Sequence, residues 1–263
     1  MDVRANHRQQ EILDALRQAG GSMRVQAIAA TLKVTDETVR RNLRGLARDG
    51  LVEKTHGGVR LQGAADNAHE AEGDFHQRFG KNTAAKRRIA RTVADMIPDG
   101  SSLFLDIGST TAHIADALRE RRGLLIVTNS VYVAWRLATV NDNRVFMAGG
   151  ELRAHDGGAF GHDAMEFAAN FNTDYAVFSS AGITAAAGFS LFDLEEARFS
   201  RLIMKNAGRR IIAADASKFG VEAPIVIGEP SLVDCLVTEA APPPDILAAA
   251  EKWGMEIVVS DPG

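Results

Sequence analysis

The chain contains very little cysteine. Cys235 is the single cysteine among 263 residues, which excludes an intramolecular disulfide and leaves no cysteine-based metal site to propose. It lies in the apolar run 233–237, where a buried thiol behaves as a small hydrophobic side chain. The histidines are scattered without the paired spacing of metal ligands, so we expect neither a metal ion nor another cofactor.

Long apolar runs are also missing. No stretch approaches the ~20 consecutive apolar residues that span a bilayer, and the N-terminal segment is polar and amphipathic rather than signal-like. We therefore expect a cytoplasmic protein with no membrane partner. A length of 263 residues with 46% hydrophobic content allows a small domain followed by a larger one.

Charge is divided unevenly along the chain. Residues 1–62 hold eleven Lys and Arg against seven Asp and Glu, a balance of +4, whereas the whole chain carries −4, which leaves −8 for residues 63–263. An arginine-rich helix taken alone is most often a solvated surface helix. The asymmetry instead favours a basic module that meets nucleic acid, joined to an acidic module with another task.

The segment after Thr35 predicts a DNA-recognition helix. On a 3.6-residue period, Val39, Leu43 and Leu46 fall on one face, and charged side chains occupy the remainder. Thr35 and Asp36 form a helix-capping pair. A preceding apolar pattern over residues 25–32, separated by a short turn, completes a helix-turn-helix.

The residues after this helix predict a wing. Gly50 can end the helix in a left-handed cap, and the run 51–61, with Gly57 and Gly58 at its centre, indicates two short strands joined by a glycine turn. A helix at about residues 5–18 supplies the third side of the core. The expected contacts with double-stranded DNA are Thr35, Glu37, Thr38, Arg40, Arg41, Arg44, Lys54 and His56. We expect the arginines to contact base edges and the wing to contact phosphates.

A small, polar segment without an amphipathic stripe follows the wing. We interpret residues 63–74 as a linker between a DNA-binding domain, 1–62, and a ligand-sensing and oligomerisation domain, 75–263. A single winged helix offers few DNA contacts, so we expect a homo-oligomer, a dimer or a tetramer, on repeated half-sites.

From Phe75 onward, apolar runs alternate with helical patterns. Continuous apolar strands separated by helices predict a mostly parallel sheet covered on both faces, and hence an α/β domain. The predicted strands contain the runs 103–105, 124–127, 145–147, 175–178, 211–213 and 236–237.

Polar or glycine residues follow these strands, at the edge where parallel sheets usually bind ligands. Ser109, Thr110 and Thr111 open a helix whose free N–H groups and positive dipole end suit a phosphate; alternatively, one of them simply caps the helix. The candidate effector-binding residues are Asp106, Gly108, Ser109, Thr110, Thr111, Thr128, Asn129, Ser130, Gly149, Gly150, Arg153 and Lys218.

Together these motifs resemble the DeoR family of bacterial transcriptional regulators over nearly the whole chain. The resemblance rests on 39–43, 56–58, 106–111 and 149–153, and on the more discriminating segments 156–158 and 241–244. It implies a sensor domain related in fold to sugar-phosphate isomerases, with phosphate at Ser109–Thr111 and Lys218 near the ligand. It further implies repression of a carbon-catabolic operon that is relieved by a phosphorylated effector.

The discriminating segments favour glycerol 3-phosphate as that effector, with another sugar or polyol phosphate as the alternative. Two positions depart from the family pattern, namely Asn42 and Glu239, where aspartate is usual. An isomerase with a DNA-binding head is the rival interpretation, since Asp106, Asp215, Lys218 and Glu239 could act as acid–base groups. The appended DNA-binding head favours a regulator without catalytic residues.

Overall fold

The computed structural model describes residues 7–18, 22–55, 58–61 and 75–261. The chain divides into two compact units, Met1–Gly73 and Asp74–Gly263. The predicted linker, 63–74, and the wing residue His56 lie outside the described residues.

The first unit is a winged helix-turn-helix. A three-stranded antiparallel sheet, in the order β1-β3-β2, packs with three helices. Its elements are α1 (His7–Gln18), β1 (Ser22–Arg24), α2 (Val25–Leu32), α3 (Asp36–Arg48), β2 (Val52–Thr55) and β3 (Gly58–Leu61). The predicted helices and both wing strands are confirmed. Strand β1 was not predicted, because three residues with one apolar side chain carry no readable period.

Both ends of α3 carry the expected signals. The backbone N–H of Thr38 donates to Thr35 Oγ1 at 3.3 Å, which satisfies one of the unpaired N–H groups of the first turn. At the other end Gly50 adopts φ +68°, and Leu51 N–H donates to Leu46 O at 2.9 Å. This is the left-handed termination that glycine permits.

The core of the first unit uses the predicted apolar face. Val39 and Leu46 of α3 are fully buried against Ile12, Leu16 and Ile28 of the other two helices. Each such side chain contributes about 1.5–3 kcal/mol through burial. The amphipathic pattern therefore fixes which face of α3 points inward and leaves its charged face exposed.

The second unit is built on a seven-stranded, wholly parallel sheet in the order β13-β12-β10-β7-β4-β5-β6. All six predicted strands belong to it. Its strands are β4 (Ser102–Leu105), β5 (Leu125–Thr128), β6 (Arg144–Met147), β7 (Thr173–Phe178), β10 (Ala207–Ala213), β12 (Cys235–Thr238) and β13 (Glu256–Val259). The α/β class is thereby confirmed.

Helices cover both faces of this sheet and bury two hydrophobic clusters. They are α4 (Phe75–Gly80), α5 (Thr83–Asp95), α6 (Ser109–Ala117), α7 (Val131–Leu137), α8 (His162–Ala168), α9 (Leu194–Lys205) and α10 (Pro244–Trp253). Within the described ranges, every helix is too short or too polar to span a bilayer. The strands read as continuous apolar runs because each is covered on both sides.

A small antiparallel sheet, which the sequence did not predict, is appended to the second unit. It pairs β8 (Gly182–Thr184), β9 (Gly188–Leu191) and β11 (Ile225–Val226) in the order β11-β9-β8. Glycine and serine interrupt these strands, and β11 is only two residues long. Their strand character depends on tertiary packing rather than on local propensity.

Candidate functional site

The exposed face of α3 carries most of the predicted DNA contacts. Thr35, Glu37, Arg40, Arg41 and Arg44 are exposed, and Thr38 is half-buried. Arg44 donates to Glu37 at 3.2 Å, yet both side chains are more than 60% exposed, so this ion pair adds little to stability. The arginines are thus presented on one solvent-facing surface beside the helix N-terminus.

Asn42, one of the departures from the family pattern, forms a hydrogen bond within α3. Its Nδ2 donates to the carbonyl oxygen of Thr38 at 2.8 Å, one turn earlier in α3. An ionised aspartate has no N–H to donate at this position. Lys54 lies in strand β2, within the wing.

Replacing Arg41 with alanine is expected to weaken operator binding by about 1–3 kcal/mol if the guanidinium makes a bidentate contact with a guanine. Fluorescence anisotropy with a labelled operator, read at several salt concentrations, measures the loss. Arg8→Ala removes a positive charge from α1 instead and serves as the control. Equal DNA affinity of Arg41→Ala and the native protein would remove Arg41 from the contact surface.

In the second unit, the ends of β4 and β7 meet at Gly108. Its backbone passes so close to the end of β7 that an added Cβ would lie 2.9 Å from Ser179 Cβ. Ser179 Oγ donates to Ile107 O at 3.2 Å and so joins the two strand ends. Glycine at this position lets α6 begin directly above the sheet edge.

Gly108→Ala is therefore expected to destabilise the second unit by about 1–3 kcal/mol, the usual cost of overpacking. Urea denaturation followed by circular dichroism measures this loss. Gly80→Ala is the matched control, because a Cβ there meets no atom within 4 Å. Equal midpoints for the two variants would contradict the close approach.

A buried lysine that the sequence did not single out reaches the predicted phosphate loop. Lys86 of α5 is 3% exposed, and its Nζ donates to Ser109 Oγ at 3.0 Å and to the carbonyl oxygen of Arg78. Burial lowers the pKa of Lys86 to about 8, against the opposing charge of Asp215. The N-terminus of α6 and an ammonium group thus face the same space, which suits an anion.

The signal for Lys86 was present in the sequence. Lys86, Ile89, Ala90 and Val93 repeat at helical spacing, and all four are buried. A lysine on the apolar face of an amphipathic helix is uncommon, because burying an ammonium group is costly. The position could have been recognised from this periodicity.

Asp215 forms a second polar cluster beside Lys86. Its Oδ1 accepts from Asn82 Nδ2 at 2.9 Å and from the backbone N–H of Ser217 at 3.1 Å. Burial alone would raise the pKa of Asp215, but its hydrogen bonds with Ser217 and Asn82 outweigh burial and hold it below the usual range. The predicted residue Lys218 lies at the edge of this cluster, half-buried, close enough to lower the pKa of Lys86.

Glu239, the other departure from the family pattern, forms hydrogen bonds with the backbone beside Asp215. Its carboxylate accepts from the backbone N–H of Ala216 at 3.0 and 3.2 Å. The longer side chain thereby supports the turn that carries Lys218.

Several predicted hydroxyl groups already have structural partners. Thr128 Oγ1 donates to Leu105 O at 2.7 Å and ties β5 to β4. Thr111 Oγ1 donates to Gly108 O at 3.0 Å. Ser130 caps α7 by accepting from Val133 N–H at 3.4 Å. Thr110 is buried, whereas Gly149 and Gly150 are exposed.

Asp106 and Asn129 follow β4 and β5 directly and are completely buried. Burial raises the pKa of Asp106 well above its ordinary value, and the nearby charge of Glu196 raises it further. The charged form of Asp106 is thus disfavoured where it lies.

Arg153 joins a short hairpin, residues 152–159, to the N-terminus of α9. Its guanidinium donates to Asp156 at 2.5 and 3.1 Å and to Glu196 at 3.1 Å, and it lies 3.4 Å from Asp193. It also lies over the ring of Phe160, 4.3 Å from the centroid. The predicted effector contact thus already binds three carboxylates within the protein.

The part of the chain that the structure describes contains no group of three or more His, Cys, Asp or Glu side chains able to hold a metal ion. His155 contacts Asp156 at 3.5 Å, and His162 contacts Glu166 at 3.8 Å. The polar groups at the strand ends suit hydrogen bonding to a small polar ligand instead.

A winged helix-turn-helix with an arginine-bearing exposed helix, followed by an α/β unit with polar residues at its strand ends, is the architecture of a ligand-responsive transcriptional regulator. The DeoR-like helix-turn-helix domain matches residues 8–64, and the DeoR C terminal sensor domain matches residues 81–240. The chain belongs to the DeoR family of transcriptional regulators.

Known relatives span nearly the whole chain. The glycerol-3-phosphate regulon repressor of Escherichia coli (strain K12) is 35% identical over 93% of this chain and 95% of its own length. The HTH-type transcriptional repressor CsqR of the same strain is 34% identical over 98% and 97%. Because these relatives are repressors, the chain is a DeoR-family repressor rather than an enzyme.

Among solved structures, ribose 5-phosphate isomerase A from Methanocaldococcus jannaschii is similar to the chain, with a TM-score of 0.39 and 15% identity over 53% of this chain and 55% of the isomerase.

Proposed function

We propose that this repressor controls a carbon-catabolic operon and releases its operator DNA when a phosphorylated polyol, glycerol 3-phosphate first among the candidates, binds the second unit. A different sugar or polyol phosphate is the alternative effector. The observation that carries the proposal is Lys86 Nζ, buried 3.0 Å from Ser109 Oγ at the start of α6.

The physical reason is the combination of two positive features in one buried place. The first N–H groups of α6 lack intrahelical partners and suit phosphate oxygens. Lys86 adds a full charge where low polarity strengthens its attraction to an anion. The relative named for the glycerol-3-phosphate regulon, at 35% identity, supports glycerol 3-phosphate as the first ligand to test.

Relief of repression requires the effector to bind better when the protein is off the DNA. A tenfold loss of operator affinity needs about 1.4 kcal/mol of coupling between the two sites. We propose that a homo-oligomer, a dimer or a tetramer, binds repeated half-sites, and that residues 63–74 link each DNA-binding domain to its sensor. Effector binding would then change the geometry of the half-site contacts.

Isothermal titration calorimetry with glycerol 3-phosphate tests the proposal, with glycerol, inorganic phosphate and fructose 6-phosphate as comparison ligands. Selective binding of glycerol 3-phosphate, together with its release of a labelled operator, would support this effector. Release by fructose 6-phosphate alone would assign the sensor to another sugar phosphate. Binding of glycerol but of no phosphate ester would refute a phosphate site at Lys86.

A further inference from the structure

Two buried polar residues occupy neighbouring positions at the edge of the sheet. Leu105 of β4 pairs with Thr128 of β5 in parallel register, so Asp106 and Asn129 are the next residues on adjacent strands. Both have no exposed surface. Their position at the carboxyl ends of central parallel strands is where α/β sheets bind ligands.

Neither side chain is satisfied by the protein. Among the described residues, both carboxyl oxygens of Asp106 and both polar atoms of the Asn129 amide lack a hydrogen-bond partner. The Ile107 N–H is near enough to lower the pKa of Asp106, but the contact does not have the geometry of a hydrogen bond. Buried polar groups are nearly always paired, so four unpaired atoms in one place call for an explanation.

A short hairpin encloses this place. Ala159 N–H donates to Asn129 O at 2.8 Å, and Ser130 pairs with Gly158 in an isolated bridge. A Cβ added at Gly158 would lie 2.7 Å from Ile107 Cδ1, so the hairpin lies directly on the residues next to Asp106. The enclosure excludes bulk water as the hydrogen-bond partner that exposed polar groups use.

The hydrogen-bonding groups of Asp106 and Asn129 indicate which kind of ligand group they bind. A carboxyl group presents acceptor oxygens, and an amide has N–H donors and an acceptor oxygen. A hydroxyl group also donates and accepts, whereas a phosphate at neutral pH mainly accepts and an ammonium group only donates. We propose that Asp106 and Asn129 bind two neighbouring hydroxyl groups of the effector and so restrict it to phosphate esters that carry a diol.

This inference rests on the proposed function, because it places the effector's phosphate at Ser109 and Lys86. Asp106 and Ser109 are three residues apart, so their Cα atoms are separated by no more than about 11 Å. A small polyol phosphate can reach both places. A ligand with a phosphate but no hydroxyl groups would leave Asp106 and Asn129 unpaired and would bind less tightly.

Calorimetry on the full-length protein tests the diol subsite with glycerol 3-phosphate and propyl phosphate, which lacks both hydroxyl groups. The native protein is expected to prefer glycerol 3-phosphate by at least about 100-fold. Asp106→Leu and Asn129→Leu should each reduce this preference at least about tenfold while leaving the affinity for propyl phosphate unchanged, since they remove only hydroxyl contacts. A melting curve for each variant checks that it is folded.

Asp106→Asn is the matched control, because an amide keeps a donor and an acceptor on the same skeleton. It should retain the preference within about threefold, since the amide can still form hydrogen bonds with hydroxyl groups. Equal native affinities for both esters, or an unchanged preference in Asp106→Leu, would overturn the diol subsite while leaving the phosphate site intact. Failure of the native protein to bind either ester would overturn glycerol 3-phosphate as the effector together with the subsite.

Discussion

Arg153→Met is expected to destabilise the second unit by about 3–5 kcal/mol, the cost of breaking a buried ion pair by removing one partner. The guanidinium contacts Asp156, Glu196 and Asp193, whose side chains are 2%, 12% and 26% exposed. Without it, three acids share a region of low polarity and lose the guanidinium that they have in common. Methionine retains much of the apolar length, so the loss reports the charge.

The measurement is urea denaturation at pH 7, with Arg209→Met as the control. Arg209 donates to Glu256 at 2.6 Å, but these side chains are 39% and 55% exposed, and such pairs contribute about 0–1 kcal/mol. If Arg153→Met lowers the free energy of unfolding by no more than Arg209→Met does, the buried ion pairs contribute no more to stability than an exposed pair, which would contradict the prediction.

The same variant has an expected pH dependence. Burial alone would raise the pKa of Asp156, but the hydrogen bond and charge of Arg153 outweigh burial and hold it below its ordinary value. A lowered carboxylate pKa stabilises the native protein above the unfolded pKa of about 3.9, and this stabilisation is lost as the pH falls through the folded pKa. In Arg153→Met, the buried carboxylates no longer have the guanidinium, and the free-energy cost of burying their charge disappears when they take up protons. The stability difference from the native protein should therefore shrink as the pH falls from 7 to about 4.

The sequence predicted the framework of the second unit because of how its strands are buried. Strands β4, β5 and β7 are covered on both faces, so each reads as an unbroken apolar run between helical patterns. Strand β13 has exposed residues at both ends, Glu256 and Val259, and it lies at the sheet edge. Its local pattern was too weak to separate it from a loop.

The contacts of the candidate site were predictable only where its residues follow strands directly. Asp106, Ser109 and Asn129 were predicted in this way. By contrast, Glu196 reaches Arg153 across 43 residues of chain, and Lys86 reaches Ser109 across 23. Contacts of this kind depend on how helices pack over the sheet, which no local spacing encodes.

Lys86→Met is expected to separate effector binding from folding more sharply than any other substitution in the second unit. Removing a buried cation that pairs with a phosphate costs about 2–5 kcal/mol of binding, which is at least a 30-fold loss of affinity for glycerol 3-phosphate. The variant also loses the hydrogen bonds to Ser109 and to Arg78 O. However, it no longer buries an ammonium group, so its stability should change by no more than about 1 kcal/mol.

Protonation of Lys86 gives a second readout. With a pKa lowered by burial to about 8, the free protein carries this charge below pH 8 and loses it above. A bound phosphate favours the charged form, so effector affinity should fall about tenfold between pH 7 and pH 9. Because a methionine side chain cannot titrate, the affinity of Lys86→Met should vary little over this range.

Calorimetry at pH 7 and pH 9, paired with operator release by effector, measures both effects. Lys81→Met is the matched control, since Lys81 is exposed and influences Lys86 only through its charge. It should bind glycerol 3-phosphate within about threefold of the native protein, because exposed charges are screened. A Lys86→Met protein that still binds the effector with native affinity and releases its operator would place the phosphate elsewhere, and the buried ammonium would then serve only to join α5 to the start of α6.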